Sequence, residues 1–566
     1  MMRSPLRITA ALMVGLLLPA AAAPSRSMAQ EADLSGNWKL VVLMPLQELE
    51  LGLVEVSKTG EGYGGKLLGS IFPPNAINFD KIEAKGDRVS LVLKGGPMGE
   101  PFVGTIDKSG KALGSIKIQN SVYPARLEKT GAKELAQPNQ GAPPLAAKLT
   151  AAMRERDPKA KLDQLQEILK QETNIGTTGL LYPEAIKAAA ATGADRKAIA
   201  EMVEKYVASS QPYGKALADE AQLKAATALG DKADYAPLAL ELARKVEKRL
   251  DESASTELKA NIYGTIASSA KAAGDAKAAE EATAMVEKLN TKLDSEYHEK
   301  VPPFKPETYA GRKNTSNKRV ALMELFTGAE CPPCVAADVG FDGLAKTYKP
   351  TDVILLQYHL HIPGPDPLTN KETQDRAKYY PELRGTPSTF FDGKSAAGGG
   401  GGMAGSEGKY QEYRKLLDEA IEKAPKADLD LKADLKDGAI HIVANAATDS
   451  KSSKVKLRLA LVEDSVRYPG GNGLRFHHKV VRGMPGGVEG VAVADGKAKV
   501  DMTVKLADLK AALESTNAEF QKGQGFPHPL PPIDLKGLSV VAFVQDDADK
   551  SVLQAACVPL DAAEAH

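Results

Sequence analysis

The chain has 566 residues, well beyond the roughly 250–300 over which one core grows, so several domains are expected. Lys+Arg and Asp+Glu both number 73, which excludes a polyanion binder built on excess charge. Aromatic residues make up only 5%, with one tryptophan, which argues against modules that stack nucleic-acid bases.

Residues 1–29 read as a secretory signal peptide. Arg3 and Arg7 supply the positive start, and 8–23 form an apolar stretch too short to span a bilayer. Ser27-Met28-Ala29 offers a small-x-small cleavage site, leaving Gln30 as the mature N-terminus. No cysteine follows the apolar stretch and no later segment has eighteen consecutive apolar residues. The expectation is a bacterial exported protein, periplasmic or extracellular, without a lipid anchor or transmembrane segment.

Residues 31–130 alternate polar and apolar residues between turn signals such as Lys58-Thr59-Gly60 and Lys85-Gly86-Asp87. About eight strands fit, predicting a meander that closes into a small antiparallel β-barrel. Gly36-Asn37-Trp38 resembles the Gly-x-Trp of lipocalin-like barrels, where a buried tryptophan plugs one end. After a Pro-containing linker, 145–298 is rich in Ala, Lys, Glu and Leu at helical spacing. Gly-(x)-Asp turns recur at Gly193/Asp195, Gly230-Asp231 and Gly274-Asp275, so this region resembles tetratricopeptide-like helical repeats. Such an array either offers a protein partner a surface or is a plain helical spacer.

A second linker follows Pro302-Pro303. Residues 318–425 then read as an α/β unit: a strand through Leu322 and Phe326, Cys331-Pro332-Pro333-Cys334, a helix, a buried strand from Val353 to Tyr358, a second helix, Gly385-Thr386-Pro387, a hairpin turn at Asp392-Gly393 and a last helix. A glycine run, 398–402, is expected to be a flexible insertion. Residues 427–566 return to a β pattern and predict an immunoglobulin-like β-sandwich, with irregular insertions near 469–487 and 521–532. The fold class is therefore multidomain α+β.

Three cysteines in a chain of this length are not a disulfide scaffold, and the Cys331–Cys334 loop is too short to restrain much unfolded chain. Strand–loop–helix geometry instead sets the first sulfur over a helix N-terminus, which favours its thiolate, the form that attacks disulfides. The sulfur is expected to face solvent.

In motif and in element order, 318–425 resembles the thioredoxin superfamily. The resemblance implies an attacking Cys331, a resolving Cys334, and a cis Pro387 whose preceding residue, Thr386, pairs with a substrate strand. It also implies a buried acid as proton acceptor for Cys334, a role for which Glu324 on the first strand is the candidate. Two features depart from the family. Glu330 replaces the usual tryptophan, and its charge roughly cancels the helix effect, about 1 kcal/mol each way. Pro332 and Pro333 lack N–H groups to offer a thiolate.

The expected function is thus thiol–disulfide exchange at a redox-active Cys331–Cys334 disulfide, with no other cofactor. Its partners would be protein thiols or disulfides, and the direction of electron flow, set by tens of millivolts, is left open. One alternative is a non-enzymatic partner-binding protein on a thioredoxin-like scaffold. The other is a copper or zinc site using Cys331, Cys334, His359 and His361. His477-His478 is read as a polar surface feature and Cys557 as a buried strand residue.

Overall fold

The structure, a computed structural model, describes residues 33–560 except 61, 74–75, 96–99, 108, 119–120, 137–142 and 524. The expected signal peptide lies outside the described residues. No helix among them is long and apolar enough to cross a membrane. The chain is multidomain and divides into two compact units, Met1–Thr291 and Lys292–His566.

The first unit opens with eight strands: β1 (Gly36–Met44), β2 (Gln47–Thr59), β3 (Gly62–Ser70), β4 (Asn78–Lys85), β5 (Arg88–Lys94), β6 (Phe102–Ile106), β7 (Lys111–Ile118) and β8 (Ser121–Thr130). They form one antiparallel sheet in the order β3-β2-β1-β8-β7-β6-β5-β4. Pairing of β1 with β8 folds the meander back on itself, and β3 and β4 come side by side without a ladder among the described residues. The sheet is therefore a near-barrel. Alternating side chains fill it, among them Leu40, Val54, Ile82 and Leu127. Trp38 is fully enclosed, and its indole N–H donates to the Leu34 carbonyl (2.6 Å), as a buried indole requires.

The helices follow: α1 (Ala146–Arg154), α2 (Pro158–Leu169), α3 (Ile175–Ala191), α4 (Arg196–Ser210), α5 (Lys215–Leu229), α6 (Ala236–Glu247), α7 (Thr256–Ala272) and α8 (Ala276–Lys300). From α1 to α7 each packs on the next through alanine-rich faces. Asp195 caps α4 by accepting from Lys197 N–H (2.9 Å), one physical role of a recurring Gly-(x)-Asp turn. The near-barrel rests on α3: Leu46 N–H donates to the Thr177 hydroxyl (2.8 Å), and a Cβ on Gly176 would meet the Leu43 carbonyl at 2.1 Å.

The second unit contains β9 (Ala321–Thr327), α9 (Val335–Thr347), β10 (Val353–His359), α10 (Lys371–Tyr379), β11 (Ser388–Phe391), β12 (Lys394–Ser395) and α11 (Ser406–Ile421). It continues through β13 (Asp428–Lys436), β14 (Ala439–Ala447), β15 (Val455–Arg467), β16 (Phe476–Gly483), β17 (Val491–Ala492), β18 (Lys497–Lys505), α12 (Leu506–Gly523), β19 (Leu538–Asp546) and β20 (Val552–Pro559). Its main sheet runs β12-β11-β9-β10-β16-β15-β19-β20, with β17 added beside β15. Strands β9 and β10 are parallel and buried along their whole length, as expected for strands covered on both faces. Alternation sends Leu322, Phe326 and Leu356 to the face bearing Tyr380, after α10. Met323, Leu325 and Leu355 go to the other face, against Phe341 of α9 and Tyr410 of α11.

The boundary expected near 426 is not a sheet boundary. Strand β10 takes β16 as a parallel neighbour through Gln357 and Val480, so strands from 318–425 and 427–566 share one sheet. A strand as apolar as β10 needs both edges paired, and β16 supplies the second. The small sheet β13-β14-β18 does pack over β15 and β19 through Ile440, Ile442, Leu459 and Val540. This second layer is not a free-standing sandwich, because its partner sheet continues into β10. Helix α12 falls in a region where only strands and loops were expected.

Candidate active site

Strand β9 ends at Thr327, and Gly328–Glu330 turn the chain so that Cys331 precedes a short 3₁₀ turn, Pro332–Cys334, leading directly into α9. Cys331 and Cys334 are joined by a disulfide. Cys331 Sγ lies 3.7 Å from the Thr386 carbonyl oxygen and accepts from the Thr386 hydroxyl at 3.4 Å. The Thr386–Pro387 peptide is cis. The dithiol and the Thr386-Pro387 turn thus meet although 55 residues separate them.

Cys331 does not face solvent, contrary to the expectation: it is 1% exposed. Part of the reason is the loop between β15 and β16. Asn472 N–H donates to the Ala329 carbonyl (3.0 Å) and Gly471 N–H to the Glu330 carboxylate (3.1 Å). Gly470 packs so closely that a Cβ would stand 2.3 Å from the Ala329 carbonyl oxygen. From another segment His528 Nε2 approaches Glu330 Oε1 at 3.8 Å. Glu330 is therefore held by partners of its own.

The glycine run is tied down too. Gly401 N–H donates to the Pro333 carbonyl (2.7 Å), and Gly401 returns its carbonyl to Ala336 N–H (2.9 Å). A Cβ on Gly400 would meet the Pro333 oxygen at 2.0 Å, which is why glycine stands there. This segment braces the start of the dithiol helix.

Glu324 is misplaced for its expected role. It points to the sheet face away from α9, where Arg376 of α10 grips both its oxygens (Nε 2.8 Å, Nη2 2.9 Å) and the Tyr380 hydroxyl donates to it (2.5 Å). The period-two alternation of a strand decides this outcome. Glu324 belongs to a buried ion pair that joins α10 to Gln545 of β19.

A different acid lies on the dithiol side. Asp338 is buried in α9, one helical turn after Cys334, a spacing that puts two side chains on the same face. Its Oδ2 accepts from the Thr327 hydroxyl (2.9 Å) and its Oδ1 from Gln357 Nε2 (3.1 Å). Burial pushes its carboxyl well above the usual range, Asp342 and Asp366 add to that, and the two hydrogen bonds oppose it. Beyond Gln357, His359 Nε2 lies 3.0 Å from Gln357 Oε1, and its Nδ1 lies 2.7 Å from Asp366 Oδ2. Asp366 also accepts from Ala329 N–H (2.7 Å), directly behind the cysteine turn. Burial, the largest influence, raises the Asp366 carboxyl, but His359, the Ala329 N–H and His477 together hold the group low.

The four residues of the metal alternative do not converge. The sulfurs bond each other, both His359 ring nitrogens are engaged, and His361 stacks on Phe520 with centroids 4.0 Å apart. No group of three or more His, Cys, Asp or Glu among the described residues is arranged to hold a metal ion. His477 is not at the surface: it is buried in β16, its ring edge-on to His359 at 4.8 Å, and burial lowers its pKa to about 3. His478 approaches Asp342 at 2.9 Å. Cys557 is free and half-buried in β20, and burial raises its thiol. A cleft of about 1210 Å³ opens elsewhere in this unit, lined by residues such as Arg312, Asp428, Lys499 and Cys557, and includes none of the dithiol surroundings.

No protein-family model matches the chain, and no curated protein matches it. Among solved structures it is similar to HBP35 of Porphyromonas gingivalis, at 17% identity over 44% of this chain and 78% of that one. The TM-score of 0.30 is too low for that likeness to carry an argument.

Proposed function

We propose that this protein is an exported thiol–disulfide oxidoreductase whose residues 318–425 form a thioredoxin-like unit. The observation that carries this reading is the contact of Cys331 Sγ with the hydroxyl and carbonyl of Thr386, the residue before Pro387. A client strand pairing with the Thr386 backbone would have its disulfide set against that sulfur. Export rests on the signal-like 1–29, and the helices α1 to α8 are the proposed surface for a protein partner.

In the reduced protein the Cys331 thiolate attacks one sulfur of a client disulfide. The client S–S bond breaks, a Cys331–client bond forms, and the other client sulfur leaves as thiolate. Cys334 then gives its proton to the Asp338 carboxylate and attacks Cys331 Sγ. The Cys331–Cys334 bond forms and the second client thiolate leaves. Two electrons pass to the client, and the reverse sequence oxidises one. Asp338 takes the role first expected of Glu324, because it shares the helix and the sheet face of Cys334.

One observation favours the second reading, a partner-binding protein with a merely structural disulfide: Cys331 is covered in the oxidised state. Reduction of a disulfide-linked peptide separates the two. Turnover by the wild type that is lost in Cys331→Ser, together with a trapped mixed disulfide in Cys334→Ser, supports the oxidoreductase. Equal rates for wild type and Cys331→Ser sink it.

A further inference from the structure

Behind the dithiol a buried chain runs from Asp338 through Gln357 and His359 to Asp366, linked by contacts of 3.1, 3.0 and 2.7 Å, and the exchange described above uses only its first member. All four are buried, with exposures of 2, 1, 0 and 0%. Asp366 already accepts from the N–H groups of Ala329 (2.7 Å) and Leu368 (2.8 Å), so toward His359 Nδ1 it offers an acceptor. His359 Nδ1 must then donate. Its Nε2 faces Gln357 Oε1, so both ring nitrogens stand against oxygen acceptors, an arrangement that needs the two N–H donors of an imidazolium set against the Asp366 carboxylate; the Gln357 NH₂ end is then turned toward Asp338. An amide facing a carboxyl group can present either its donor or its acceptor end. The donor end favours the ionised carboxylate and the acceptor end the neutral acid.

Resting on the oxidoreductase reading, we infer that His359 and Asp366 are positioning residues. Through Gln357 they fix which end of its amide meets Asp338, and so keep that carboxylate able to take the Cys334 proton. The other groups facing Asp338 are Asp342 on its own helix, Thr327 of β9, Asp366, Tyr297 of α8 and Tyr413 of α11. Of these, only Thr327 donates a hydrogen bond to it. Burial and the neighbouring carboxylates both work against ionisation, so the orientation of Gln357 carries weight.

The test is stopped-flow reaction of the reduced full-length protein with 5,5′-dithiobis(2-nitrobenzoate) across a pH series. Cys331 releases the first thionitrobenzoate and forms a mixed disulfide; attack by Cys334 releases the second. Gln357→Met removes the donor and is expected to move the pH midpoint of the second release upward by about one unit. His359→Phe frees the Gln357 amide to turn and is expected to shift it the same way. The double variant should shift no further than Gln357→Met alone, because His359 acts only through Gln357. Unshifted midpoints in Gln357→Met, or shifts that add in the double variant, overturn the inference. Gln357→Met leaves the His359–Asp366 pair intact, so it decides the matter even if His359→Phe does not fold. If the wild type releases no second thionitrobenzoate, the oxidoreductase reading itself has failed.

Discussion

The backbone N–H of Gly471 donates to the carboxylate of Glu330 across 141 residues of sequence, so the β15–β16 loop is fastened to the residue just before the first cysteine. Together with the Asn472–Ala329 hydrogen bond, this contact draws C-terminal chain against the turn that carries the disulfide.

Loosening that loop should expose the sulfurs. In Gly470→Ala the new methyl meets the Ala329 carbonyl oxygen at 2.3 Å, and backbone there has no room to give. The rate of disulfide reduction by a water-soluble phosphine is expected to rise about tenfold for each ~1.4 kcal/mol by which the closed arrangement is weakened. An unchanged rate would show that the loop does not control access.

Arg376→Met should be severe. It leaves the Glu324 carboxyl buried without its bidentate partner, a change that typically costs about 3–5 kcal/mol. Guanidinium unfolding measures the loss, and Glu324→Gln/Arg376→Met should recover much of it. Glu324→Gln alone should leave the pH profile of thiol exchange where it was, since that carboxylate lies across the sheet from α9. A shifted profile would return Glu324 to the mechanism.

Gly400→Ala tests the brace on the dithiol helix. Its Cβ would overlap the Pro333 carbonyl at 2.0 Å, so the glycine segment must move and its two hydrogen bonds to the helix start weaken. The expected cost is about 1–3 kcal/mol, read as a lower denaturation midpoint at unchanged m-value. Gly398→Ala, which has open space around its Cβ position, is the matched control.

Acid should weaken the second unit through His477. Burial holds its folded-state pKa near 3, below the unfolded value of 6.5. Between those limits the unfolded chain binds a proton that the folded chain refuses, so stability falls as pH drops, by at most about 1.4 kcal/mol per unit. Asp338 contributes with the opposite sign, because its pKa is raised on folding. The difference between wild type and His477→Phe therefore isolates the histidine: the variant should lose the excess slope between about pH 6.5 and 3. Parallel stability curves would count against a neutral buried imidazole.

The residues of the proposed chemistry could be named where they sit in contiguous motifs. Cys331, Cys334, Thr386 and Pro387 could be named from sequence because each motif places its own atoms. The acid could not. Glu324 and Asp338 are both carboxylates near the dithiol in sequence, and only the strand's alternation against α9 and α10 tells which face each one serves. Asp338 had left one trace, its four-residue spacing from Cys334 on a helix. Nothing comparable marks Gln357 or His477, since burial of a polar side chain is decided by distant chain packing over it. The glycine run at 398–402 looked like flexibility, yet Gly400 packs on the Pro333 carbonyl and Gly401 hydrogen-bonds the helix start, while Gly470, in a stretch read only as an irregular insertion, packs on the Ala329 carbonyl. The helices of the first unit were legible from their apolar period, whereas the pairing of β10 with β16 rests on a single long-range register.

That pairing has a consequence for how the molecule came to be divided. A polypeptide cut after α11 would keep Cys331, Cys334, Thr386 and Pro387 yet present β10 as a raw, apolar edge, open to any passing strand. Residues after 425 are thus no detachable passenger: they complete the sheet that carries the Cys331–Cys334 turn, and the two should melt in a single transition.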